Sequence, residues 1–144
     1  MPNSFLKWLA NNQDEPENLQ LDIFGGSSAL APHERVDGAI VNKDLNQTIK
    51  QKGGSGTVYA DSAEAMSQEL FGMGTSQLYE STGGTKNKRN TLPKEAQKAF
   101  IAGEIKADYD LRSKDIRGSQ RQKNEQIVES VQESGKSVRK WLPW

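Results

Sequence analysis

Apolar residues recur along this chain at two spacings. From Met66 onward they fall three and four apart: Met66 and Leu70, then Ala96, Phe100, Gly103, Ala107 and Leu111, with Ile101 and Ile105 alongside, then Ile127, Val128, Val131, Val138 and Leu142. That period places side chains on one face of a helix. It predicts a helix begun by a capping box at Asp61 and Glu64 and closed by Gly72, and a shorter one from Thr75 or Ser76 to Ser81 that ends at Gly83 and Gly84. A long helix follows Pro93, and a last helix spans about 120–141, weakened at Gly135 and stopped by Pro143. Before Met66 the pattern is shorter. Asn3 or Ser4 caps a first helix with Phe5, Leu6, Trp8 and Leu9 on its apolar side, either a docking helix or a partner-binding one. Leu19, Leu21 and Ile23 alternate with Gln20 and Asp22, which predicts a short strand, with Ala39–Val41 and Thr57–Tyr59 as its partners. The Gly-rich run 51–56 reads as a flexible connection and the best internal boundary. The expected fold is mainly α with a minor β contribution: an irregular N-terminal region, 1–58, and a small helical domain, 59–144.

Composition narrows this picture. At 144 residues, 33% apolar and a mean hydropathy of −0.81, the chain can build one lean core. It has no run of apolar residues long enough for a membrane span or a signal peptide, so a soluble cytoplasmic protein is expected. The absence of cysteine excludes disulfides, thiolate metal sites and cysteine nucleophiles. Net charge is zero but unevenly placed. Residues 1–40 carry two basic and six acidic side chains, a balance of −4, whereas residues 85–123 carry eleven basic and five acidic ones, a balance of +6. A basic second half suits an anionic partner.

Catalytic chemistry finds little footing. His33 is the only histidine, so a zinc site or a histidine-based triad would rest on one residue in a Pro-flanked loop. The carboxylate pairs Asp108 with Asp110 and Glu125 with Glu129 fit solvated helix faces better than acid–base work. Gly53-Gly54-Ser55-Gly56 lacks the Gly-Lys-Ser/Thr ending of a phosphate-binding loop. No enzyme, metal or cofactor is expected. Binding residues are easier to name. Residues 62–80 have the layout of a helix-turn-helix, with Ser76, Gln77 and Glu80 outward and Leu78 inward, and the loop 85–91 that follows holds Lys86, Lys88 and Arg89 with no acid. Trp8 near one terminus, and Trp141 and Trp144 near the other, are candidate anchors for a protein partner.

The succession Leu70-Phe71-Gly72, Leu78-Tyr79, Gly83-Gly84, the 86–90 basic loop, an Ala/Glu-rich helix and Val138-Arg139-Lys140 resembles the C-terminal half of the DNA-damage-inducible protein D family and related proteins of phages and mobile elements. The resemblance spans about 59–142 and does not extend to residues 1–58. It implies a non-enzymatic accessory protein of DNA metabolism or the damage response that binds DNA or a DNA-bound protein such as a recombinase filament. Gln77, Lys86, Lys88 and Arg89 are the expected contacts. The alternative is a structural or inhibitory interaction module that docks through Trp8, Trp141 and Trp144, and Trp141 is expected to pack on the helix of Phe100 and Ile101.

Overall fold

The computed structural model describes residues 3–13 and 32–144, with side chains for 3–12 and 38–144. Among the described residues there are six α-helices: α1 (Ser4–Gln13), α2 (Pro32–Gln51), α3 (Val58–Phe71), α4 (Thr75–Thr82), α5 (Lys94–Arg112) and α6 (Gln120–Arg139), with a 3-10 turn at Arg89–Thr91. Their ends are set by local chemistry. Asn3 Oδ1 accepts from the amides of Phe5 and Leu6, which satisfies the free N–H groups at the start of α1. Ser119 and Gln122 form a reciprocal capping box that starts α6. Gly72 and Gly83 close α3 and α4 in the left-handed conformation, at φ of 73° and 75°, where a side chain is strained. The carbonyls of Arg112, the last residue of α5, and of Lys114 just past it accept from Lys52 Nζ at 3.0 and 2.7 Å, a cation on the negative end of the helix.

Close packing of α3, α5 and α6 is made by two glycines. A Cβ added at Gly103 of α5 would lie 2.6 Å from Met66 Sδ, and one at Gly135 of α6 would lie 2.9 Å from Glu69 Cβ and 3.2 Å from Met66 Sδ. Met66 of α3 therefore fills the space that two missing side chains leave. Around it are buried Leu70, Phe100, Ala107, Leu111, Ile127 and Val131. Helix α2 lies along α5 in the same direction: Gly38 faces Ile101, Asn42 reaches Glu104, Thr48 reaches Asp108 and Lys52 reaches Arg112. Helix α1 and the C-terminal segment close the molecule with aromatic rings. Phe5 meets Phe71 and Trp144 at centroid distances of 4.8 and 4.7 Å, Trp8 meets Trp144 at 5.0 Å, and Trp144 Nε1 donates to Leu70 O at 2.7 Å.

The mainly helical expectation holds, and four local readings are corrected. Ala39–Val41 is helix within α2, and Val58-Tyr59 opens α3; no strand occurs among the described residues, and 19–23 lies outside them. In α2 the buried Leu45, Thr48 and Ile49 follow Val41 at helical spacing, a pattern that intervening asparagines and glutamine dilute. The N-cap of α3 is Thr57, not Asp61, which sits in the first turn and accepts from Thr57 Oγ1. The run 51–56 is a held corner and not a loose tether. Asn124 exchanges two hydrogen bonds with the Ser55 backbone, Gln120 donates to Gly53 O, and a Cβ on Gly54 would fall 2.6 Å from Ile49 Cγ2. Trp141 is not packed on α5; it is 89% exposed, and the half-buried Trp144 packs against the core instead.

Gly135 gives the sharpest test of this packing. Alanine there gains about 1 kcal/mol of helix propensity but sets a methyl against Glu69 Cβ, an atom that cannot move without its backbone. Overpacking of this kind costs about 1–3 kcal/mol. Gly135→Ala is expected to lower unfolding stability by about 1 kcal/mol in urea titration, and a gain would show that the α3–α6 approach is not limiting.

Candidate functional site

The turn between α3 and α4 is built from inside the protein. Ser67 Oγ donates to Met73 O at 2.9 Å, and Met73 is buried. Glu64 of α3 accepts from Thr75 N at 2.9 Å and from Thr75 Oγ1 at 2.9 Å, so the carboxylate of one helix caps the next. A Cβ on Gly74 would overlap Glu64 Oε1, so a larger residue there would displace this carboxylate. The result is two helices joined by a short braced turn, with Leu78 and Tyr79 buried and Ser76, Gln77 and Glu80 exposed. Glu64 sets a negative charge at the amide end of α4, which disfavours an external phosphate there.

Loop 85–91 is equally fixed. Thr91 Oγ1 accepts from Thr85 N at 2.8 Å and donates to Lys88 O, while Asn87 takes φ of 66°. Arg89 turns inward. Its guanidinium makes two parallel bonds to Glu104, at 2.7 and 2.8 Å, and lies 4.4 Å from the Phe100 ring centroid. Burial alone would lower the Arg89 pKa, but the Glu104 hydrogen bonds and charge outweigh it and hold the value above the ordinary one. Burial raises the neighbouring Tyr79 phenol, and the Arg89 charge offsets part of that. Arg89 is thus a structural cation and is removed from the expected set of contacts. Lys86 and Lys88 remain exposed and make no ion pair with a described residue, on the same loop that Arg89 anchors.

The other candidates separate. Trp8 and Trp144 belong to the aromatic cluster with Phe5 and Phe71, and a shallow groove of about 210 Å³ beside them is lined by Ala99, Ala102, Leu142 and Pro143. Asp108 and Asp110 point to opposite neighbours. Asp108 accepts from Thr48 at 2.5 Å and from Arg112 at 2.8 Å, whereas Asp110 accepts from Ser134 at 2.7 Å and pairs with Lys106. Burial alone would raise the Asp110 pKa, and the bonds from Ser134 and Lys106 with the charges of Lys106 and Lys114 bring it below the ordinary value. Glu125 is paired with Arg121 on the surface. His33 stands in the first turn of α2, not in a loop, with Pro32 at the first helical position. Sequence reasoning passed over Glu104 and Asn42, although Glu104 lies one turn beyond Phe100 on the apolar row of α5 and needed a partner for that reason.

Comparison with family models, with curated proteins and with solved structures finds no match to this chain. Among the described residues no helix is long and apolar enough to cross a membrane.

The anchoring of the loop can be measured. The Glu104 side chain is 4% exposed, so Arg89→Met leaves a buried carboxylate with Asn42 as its remaining partner. Breaking one side of such a pair costs about 3 kcal/mol or more, against about 0.5 kcal/mol or less for Lys88→Met on the surface. Chemical denaturation of both variants is expected to show that gap, and equal losses would place the Arg89 pair among ordinary surface contacts.

Proposed function

We propose that this protein is a non-catalytic binding protein that engages DNA, or a protein held on DNA, through the exposed side of α4 and the loop after it. The observation that carries the reading is the pairing of a helix-turn-helix, Gln77 outward on its second helix, with two exposed lysines on a loop that is internally braced. A braced loop presents Lys86 and Lys88 without a large loss of loop freedom on binding, which is where much of the cost of association lies. Lysine charge supplies phosphate affinity, and the exposed Gln77 and Ser76 supply donors. The carboxylates of α5 support a non-catalytic role, since the buried Glu104 and Asp108 are each paired with an arginine and a neighbour on α2, and the half-buried Asp110 is turned to Ser134 and Lys106 instead of converging with them on a cavity. The resemblance of residues 59–142 to the DNA-damage-inducible protein D family points to the same partner class. A location inside the cell follows from that reading.

Duplex DNA labelled with a fluorophore tests it. Affinity should fall steeply between about 50 and 200 mM salt, and Lys86→Glu with Lys88→Glu should weaken binding about ten-fold or more while reducing the salt slope by about two. Absence of binding at low salt, or binding indifferent to both substitutions, would overturn the proposal.

A further inference from the structure

The end of α6 leaves an indole in water on a segment that is otherwise tightly held. Trp141 N donates to Val138 O at 2.9 Å and Leu142 N to Arg139 O at 3.2 Å, and three residues later Trp144 is locked into the aromatic cluster and bonded to Leu70 O. Trp141 is nevertheless 89% exposed, the most exposed of the large apolar side chains described. Fraying does not account for it, because the backbone on both sides is fixed. In sequence it follows a run of cations: Lys140 is adjacent and exposed, Arg139 is two residues away, and Lys136 is five residues before. Arg139 also differs from the other arginines whose side chains are described: Arg89, Arg112, Arg117 and Arg121 each pair with a carboxylate, and Arg139 makes no ion pair among the described residues. Lys136 has only a 3.7 Å approach to Glu133.

We propose that Trp141, with Arg139 and Lys140, is a binding site for single-stranded nucleic acid, in which an unpaired base stacks on the indole and the flanking phosphates meet the cations. A flat aromatic face beside unpaired positive charge is the composition of such sites, because every base has a π-face and every nucleotide a phosphate. The roughly half negative charge at the C-terminal end of a helix is outweighed by three cations. A protein partner would call for an apolar, water-excluding surround to the tryptophan, and an anionic lipid surface for several exposed apolar side chains; here the next residue, Leu142, is half-buried against the core, and the charges of Arg139 and Lys140 favour a phosphate. The site rests on nucleic acid being the partner class but uses none of the α4 and loop residues, so the two surfaces can fail separately.

Oligothymidylate and duplex DNA are titrated against the full chain and against Trp141→Ala, Trp141→Phe and the Lys86→Glu, Lys88→Glu pair, read by fluorescence anisotropy. The indole touches none of the core, so Trp141→Ala should melt as the parent does. It should lose about ten-fold or more of its oligothymidylate affinity, Trp141→Phe should recover most of it, and the lysine pair should affect duplex binding more than single-strand binding. Failure of the parent to bind oligothymidylate at low salt overturns this site even where duplex binds. Single-strand affinity unchanged by Trp141→Ala overturns it as well, and so does capture of anionic phosphatidylserine vesicles that depends on Trp141 while oligothymidylate binding does not.

Discussion

Glu104 is a carboxylate placed in the interior, and much of the molecule is arranged to neutralise it. Its two oxygens take the fork of Arg89, and one also takes the amide of Asn42. Those bonds tie two separate stretches to α5, the loop after α4 and the α2 helix, and the Arg89 guanidinium also covers Phe100, the α5 ring that meets Phe71 of the aromatic cluster. The cluster in turn holds α1 by Phe5 and the C-terminal segment by Trp144. A charge left unpaired at this depth would cost several kcal/mol, a large share of the 5–15 kcal/mol that stabilises a domain of ordinary size. The pair therefore acts less as a source of net stability than as a condition on where its partners sit.

The second condition is steric. Gly103 and Gly135 let α5 and α6 close on Met66 of α3, and the small Ser130 and Ser134 share that side of α6. Because α3 is gripped on two sides, the carboxylate of Glu64 and the hydroxyl of Ser67 are fixed points from which the turn and α4 are hung. The exposed face of α4 inherits its position from the core.

The periodic part of this fold was legible in the sequence. The helix around Met66 and Leu70, α4, α5 and α6 follow from spacings of three and four with glycine or proline at the ends, and Leu78 inward with Gln77 outward follows from the same count. What was not legible depends on contacts between distant residues. Asp61 and Glu64 have the spacing of a capping box, yet Glu64 caps a helix eleven residues later, because a partner beyond its own turn offered two donors at once. Gly135 reads as a weak point in a helix until Glu69 Cβ is placed against it. Trp141 and Trp144 are alike in composition, and only the turn after α6 decides which one enters the core and which one faces water. Ala39–Val41 reads as strand because it is short and apolar; only Val41 lies on the face that continues through the buried Leu45 and Ile49, where polar neighbours interrupt the count, and Ile40 is exposed.

Charge shows the same division most clearly. Residues 85–123 read as a basic stretch, but Arg89, Lys106, Arg112, Arg117 and Arg121 are each matched to a carboxylate once the chain folds. The guanidinium fork suits a carboxylate geometrically, so arginines are readily drawn into structural pairs. Part of the formal excess of cations in the sequence is thus taken up inside the fold. Among the cations that make no ion pair with a described residue are Lys86 and Lys88 on one braced loop, and Arg139 and Lys140 next to the exposed Trp141 in sequence. The arginine that escapes pairing is then more informative than the number of arginines, because four of the five whose side chains are described show what folding does with this residue when a carboxylate is within reach.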